Sequence, residues 1–204
     1  MKLYYVPGAC SLSPHISLRE AGADFAIEKI DISTHRTESG EDFRAINPKA
    51  RVPALVLEDG EVVTEGAAIV QYIADRFPAA GLAPDNGTLA RTRLQEHLNF
   101  IASELHKGFA PLFNPASSEE AKTAAKSLVA DKLDHVESLL SDSRAYLLGS
   151  QFSVADAYLF TVTNWTGPTG IGLDRWPHLA AYAKRIGERP AVQAAMQAEG
   201  LVAA

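Results

Sequence analysis

The chain has 204 residues, 47% of them apolar and 22% charged, and its 19 Lys and Arg against 25 Asp and Glu leave a formal net charge of −6. These are globular proportions, and the acidity excludes a protein that works by neutralising phosphates, so no nucleic acid is expected as a partner. No apolar run approaches the roughly 18 residues of a membrane span, and Leu3 to Val6 is too short a stretch to act as an export signal, so the expectation is a soluble, cytoplasmic chain with no membrane partner.

In chain order, Lys2 to Val6 reads as a strand closed by Pro7-Gly8. Ser11 or Ser13 then caps a helix with Pro14 in its first turn, ending near Gly22. Phe25 to Ile30 alternates moderately, and the polar stretch Asp31 to Asp42 reads as a loop, with or without a short helix, before Asn47-Pro48. Leu55-Val56-Leu57 and Val62-Val63 flank Asp59-Gly60, the strongest hairpin signal in the chain, and Ile69, Tyr72, Ile73 and Phe77 recur at helical offsets. The order β-α-β-(α)-β-β-α predicts a small mixed sheet covered by helices, its first two strands parallel with a right-handed crossover.

After that frame the period becomes helical throughout, which predicts a first domain over 1–80, a linker over 81–87 rich in helix breakers, and an all-helical domain over 88–204. One long helix is expected from about Thr88 to Lys107. Capping-box spacing at Ser117 and Glu120 precedes a helix with Leu128, Val129, Leu133, Val136 and Leu140 on its apolar positions, and Ser153 and Asp156 repeat the device. Pro177 and Pro190 open the last two helices. No internal repeat and no glycine-rich phosphate loop is present.

The only cysteine, Cys10, excludes an intrachain disulfide and a cysteine-rich zinc site, and no metal is expected. It stands between a strand and a helix, where unpaired N–H groups and the positive end of the helix dipole favour a thiolate; a free cysteine is also often a small buried hydrophobe. Cys10-Ser11-Leu12-Ser13 resembles a C-x-x-C redox motif with its second cysteine replaced, so it cannot resolve its own mixed disulfide, and a small thiol is the natural partner. Val52-Pro53 before the third strand is an ordinary trans proline or, if cis, a bend that offers the backbone of Val52 to a peptide-like ligand. Thr64-Glu65-Gly66-Ala67 is a plain N-cap turn or a cradle for an amino-acid head group, with Gly66 and Ala67 N–H groups for a carboxylate and Glu65 for an ammonium.

Five segments, GACSLSPH, NPKARVPAL, TEGAAIVQYIAD, LNFIASELHKGFAPLF and FSVADAYLF, together resemble the glutathione S-transferase superfamily, and more narrowly its bacterial beta class, in which a cysteine stands where other classes place Tyr or Ser. The resemblance spans essentially the whole chain and implies an α/β thioredoxin-like N-terminal domain followed by an all-α helical bundle. It implies a homodimer with a detoxifying role, taking glutathione as co-substrate and small hydrophobic electrophiles. Cys10 and His106 are the catalytic residues it implies. For glutathione it implies Cys10, His35, Val52, Pro53, Glu65, Gly66, Asn99, Ser103, Glu104 and His106, some of them across a dimer interface. For the electrophile it implies Lys107, Phe109, Phe113 and Trp165, together with His106. A histidine in a last helical turn also suits the dipole without any function.

The chain departs from the family pattern in three places: His35 stands where many beta-class chains have Lys, Ala50-Arg51 precedes Val52, and a Gly/Pro-rich run follows Trp165. His35 is a weaker, pH-dependent partner for a glycyl carboxylate, for which Arg36 or Lys49 are substitutes, and the last change suggests an altered second pocket. The function expected is conjugation of glutathione. Thiol-disulfide exchange through a Cys10 adduct and a non-catalytic binding scaffold are the alternatives.

Overall fold

The computed structural model describes residues 1–203, which form two compact units: Met1–Ala83 with the chain from Glu188 onward, and Pro84–Gly187. No helix among the described residues is long and apolar enough to cross a membrane.

The first unit is built on β1 (Lys2–Tyr5), α1 (Leu12–Glu20), β2 (Ala26–Asp31), β3 (Arg36–Thr37), α2 (Phe43–Ile46), β4 (Ala54–Val56), β5 (Val62–Thr64) and α3 (Gly66–Arg76). The sheet order is β3-β2-β1-β4-β5; β1 and β2 are parallel, as the helical crossover predicts, and the other neighbours are antiparallel. The two-residue strand β3, which lies in the stretch read as loop, is too short to show a period. Successive β1 residues face opposite ways: Leu3 packs with Leu18, Leu55, Ile69 and Ile73, while Tyr4 packs with Ile30, Phe43 and Ala54. Helices α1 and α3 therefore cover one face and α2 the other. The Asp59-Gly60 signal closes the β4–β5 hairpin by a turn from Leu57, with Gly60 at φ +88° and Leu57 N–H donating to the Glu61 carbonyl.

The second unit begins with α4 (Leu89–Phe100), which does not continue unchanged to Lys107. A π-helical turn, Ile101–Leu105, follows it, with His106 N–H donating to the Ile101 carbonyl, and then come α5 (His106–Gly108) and α6 (Ala110–Phe113). Next is α7 (Glu119–Leu140), capped by Ser118, whose hydroxyl accepts from Ala121 N–H, and not by Ser117. Ala125, Val129, Leu133, Val136 and Leu140 are buried along it, but Leu128 is 48% exposed. Helix α8 (Val154–Thr163) is buried over its whole length, and α9 (Pro177–Gly187) starts at its proline.

The last helix, α10 (Pro190–Ala198), belongs to the first unit, although the sequence reading places it with the helical domain. It packs on α1, and this explains why Ser11, Ser13, His15 and Ser17 are all fully buried there. Helix α1 is covered by the sheet on one side and by α10 on the other, so a single amphipathic stripe does not describe it.

Candidate active site

In the first unit the chain turns out of β1 through Gly8, at φ +70°, and enters α1 past Cys10. Ser11 does not cap the helix with its side chain: its hydroxyl donates to the Val6 carbonyl at 3.2 Å and accepts from Val6 N–H at 3.1 Å, tying the turn to the strand end. The Ser13 hydroxyl donates to the Cys10 carbonyl at 2.9 Å. It acts on the backbone of the turn, as structural support for the cysteine.

Cys10 is partly buried, and its thiol donates to the Val52 carbonyl at 3.2 Å. Val52-Pro53 is cis. Asn47, almost fully buried, organises the approach to this bond: its amide donates to the Arg51 carbonyl at 2.6 Å and its side-chain oxygen accepts from Lys49 N–H at 3.2 Å, while Ala50 takes φ +51°. Among the described residues nothing pairs with the Val52 N–H.

In the ligand-free chain the surroundings of Cys10 oppose the expected thiolate. Burial pushes the thiol up to about 11; the N–H groups of Cys10 and Ser11 and the Arg51 charge pull it down, and the Glu65 carboxylate adds to the rise. Desolvation of an anionic sulfur outweighs the amides at the start of the helix, so the cysteine is a neutral S–H donor.

Glu65 precedes α3 at φ +71° and is exposed, with its carboxylate ion-paired to the Lys49 ammonium. The backbone N–H groups of Gly66 and Ala67 open the helix without partners among the described residues, and Glu65 is at the same end. Cys10, Val52, Pro53, Glu65 and Gly66 thus lie on the β1–α1 turn, the loop before β4 and the N-terminus of α3. His35 sits at φ +55° in the loop between β2 and β3, and its Nδ1 is buried without a hydrogen-bond partner.

In the second unit, His106 follows the π-turn and Nδ1 lies 2.8 Å from the Tyr158 hydroxyl. Burial, with the Lys107 charge adding to it, lowers the imidazole to about 4, so it is neutral at neutral pH. Trp165 lies edge-on to His106 at 4.8 Å between ring centroids, to Phe109 at 5.6 Å and to Phe113 at 5.5 Å. Phe113 is 51% exposed and Phe109 fully buried, so the cluster is an aromatic wall with one open edge. Lys107 is exposed beside it. Asn99, Ser103 and Glu104 are exposed on the α4 end and the π-turn, apart from the aromatic cluster: the Ser103 hydroxyl donates to the Asn99 carbonyl at 2.8 Å, and Glu104 pairs with Lys132 at 2.9 Å. Two residues that hold these groups, Tyr158 and Asn47, were not among the sequence candidates. Asn-Pro after a loop is a turn signal that points to Asn47, but no local pattern points to Tyr158.

Residues 8–76 match the family described as Glutathione S-transferase, N-terminal domain, and residues 100–190 match Glutathione S-transferase, C-terminal domain. The chain belongs to the glutathione S-transferase family. The glutathione S-transferase GstA of Escherichia coli O157:H7 is 47% identical over 98% of this chain and 100% of its own. Among solved structures, a ternary complex of the bacterial transferase BphK superposes with a TM-score of 0.96 at 54% identity, over 98% of this chain and all of that one. The beta-class enzyme of Sphingomonas chungbukensis gives a TM-score of 0.96 at 51% identity, covering 99% and 100%. A sphingomonad glutathione S-transferase complexed with glutathione gives 0.95 at 51%, with the same coverage. The thioredoxin-like sheet and the helical unit are thus those of the bacterial beta-class transferases.

Proposed function

We propose that this family member conjugates glutathione to small hydrophobic electrophiles and depends on Cys10 to do so. The observation that carries the reading is the Cys10 thiol donating to the Val52 carbonyl beside an unpaired Val52 N–H. A tripeptide laid along Val52 pairs with that N–H as an added strand and brings its own sulfur to the thiol. Cys10 S–H then changes acceptor, from the carbonyl to the glutathione sulfur, and stabilises that sulfur as an anion in a desolvated site. Glu65 exchanges the Lys49 ammonium for that of the γ-glutamyl group, and the Gly66 and Ala67 N–H groups take its carboxylate. His35, with its unpaired Nδ1, serves the glycyl carboxylate.

In the same reading His106 is a second donor to the sulfur, and Asn99, Ser103 and Glu104 contact the tripeptide, some from the second copy of a homodimer. Lys107, Phe109, Phe113 and Trp165 favour an apolar electrophile through the open edge of the aromatic wall. The thiolate attacks the electrophilic carbon, a C–S bond forms, and a leaving group departs with the electron pair of the broken bond. Disulfide exchange through Cys10 requires a thiolate at that residue, and a thiol pushed up to about 11 weighs against it.

Calorimetry with reduced glutathione and a conjugation assay with an aromatic halide test the reading. The native protein is expected to bind and turn over, and Cys10→Ala to lose about tenfold or more in kcat/KM. Absence of glutathione binding removes the proposal; a Cys10 adduct after treatment with oxidised glutathione, without conjugation, replaces it with exchange. Sedimentation at micromolar concentration tests the homodimer.

A further inference from the structure

His106 Nδ1 faces the hydroxyl of Tyr158, a residue of α8 that is 3% exposed. Trp165 holds the imidazole from another direction, its plane at 73° to the ring, and Tyr158 is edge-on at 80°. The other nitrogen, Nε2, has no hydrogen-bond partner among the described residues and is not one of their sealed polar atoms, so it opens to solvent. The ring therefore has an anchored side and a free side.

A neutral imidazole carries one proton, and the partner of Nδ1 decides where it goes. A phenol O–H is a much stronger acid than a neutral imidazole N–H, and an imidazole lone pair is a stronger acceptor than a phenol oxygen. The favoured bond is O–H to Nδ1, which leaves the ring proton on Nε2. Among the described residues, the Lys107 charge acts on the ring and the Tyr158 hydroxyl is the titratable group hydrogen-bonded to it; burial and the Lys107 charge both oppose a second proton.

We propose that Tyr158 is a positioning residue that fixes His106 as the Nε2–H tautomer, so that its free nitrogen is a hydrogen-bond donor to an anionic sulfur and not a base. The role toward sulfur rests on the function proposed above; the tautomer does not. A base at Nε2 would remove the proton of the glutathione thiol. With that nitrogen already protonated, the thiol proton leaves to water, and His106 stabilises the sulfur anion that remains.

Long-range 1H–15N spectra of histidine-labelled protein, with His106→Asn to assign the resonances, read the tautomer directly. The expected result is an unprotonated Nδ1 and a protonated Nε2, unchanged between about pH 6 and about pH 8. Tyr158→Phe, which keeps the ring and removes the hydroxyl, is expected to mix the tautomers and lower kcat about tenfold, with KM for glutathione within about twofold. An Nδ1–H tautomer in the native protein, a His106 titration near neutrality, or a Tyr158→Phe protein with the native tautomer overturns the proposal. The native spectrum decides the question even if the variant fails to fold. Failure of conjugation alone strikes at the proposed function and leaves the spectrum standing.

Discussion

Glu199 accepts a hydrogen bond at 2.9 Å from the backbone N–H of Gly8, two residues before Cys10, while its other oxygen lies 2.8 Å from His15 Nδ1. The segment after the last helix thereby holds the turn that carries the cysteine. Arg19 Nε donates to His15 Nε2 at 3.1 Å, which puts the ring proton on Nδ1, toward Glu199. The Glu199 and His15 side chains are both fully buried, so the network has no water to fall back on.

Glu199→Ala strands a buried histidine and a backbone donor, and the expected loss is on the order of 3 kcal/mol, read as a lowered thermal midpoint. Glu199→Gln keeps one acceptor and is expected to lose less. Gly8→Ala adds a Cβ at 3.3 Å from Leu201 in a left-handed conformation, so it too is expected to destabilise, by about 1 kcal/mol. Native midpoints in all three variants would show that the tail does not support the turn.

The state of Cys10 predicts a pH profile. A thiol held at about 11 is protonated at neutral pH, so alkylation of the ligand-free protein is expected to be slow near pH 7 and to keep rising past pH 9. Glu65 raises this thiol and Arg51 lowers it, so Glu65→Gln is expected to move the profile to lower pH and Arg51→Gln to higher pH. A plateau reached below pH 8 contradicts the burial argument.

Glu28 predicts acid sensitivity. Burial raises its carboxyl, but the Ser39 hydroxyl at 2.5 Å, the Lys2 ammonium at 2.9 Å, Thr37 and the Ser39 N–H outweigh this and hold it at about 2. A carboxyl depressed in the folded state contributes stability above its unfolded value and loses it as pH falls toward the folded one. Here that window runs from about pH 4.5 down to about pH 2, and the contribution is on the order of 3 kcal/mol. Glu28→Gln is expected to lower stability at pH 7 and to flatten its dependence across the window; an unchanged slope in denaturant titrations at several pH values refutes it.

Asp156 predicts the behaviour of the helical unit. It is fully buried and accepts from Ser153 N–H and Oγ, Leu147 N–H and the Tyr182 hydroxyl, all between 2.7 and 2.8 Å. Asp156→Ala leaves four donors without an acceptor and is expected to cost about 3 to 5 kcal/mol or to prevent folding. Ser153→Ala, which removes one donor and keeps the carboxylate paired, is expected to cost about 1 kcal/mol. Equal losses in the two variants would show that the carboxylate is no hub.

Neighbours along the chain are enough to set the parallel β1–β2 crossover, the hairpin at Asp59-Gly60, the helix starts at Pro177 and Pro190, and the pairing of Ser153 with Asp156 at the start of α8. Each follows from a period or a cap spanning a few residues. Tertiary structure decided the rest. Only packing sets the desolvation that keeps Cys10 protonated, and only a partner 184 positions away explains the buried His15. The π-turn before His106 shows no break in the apolar spacing, and the partner of that ring, Tyr158, arrives from 52 positions further on. Charge state and orientation at a site depend on what surrounds a group in space, and local periodicity carries no record of that.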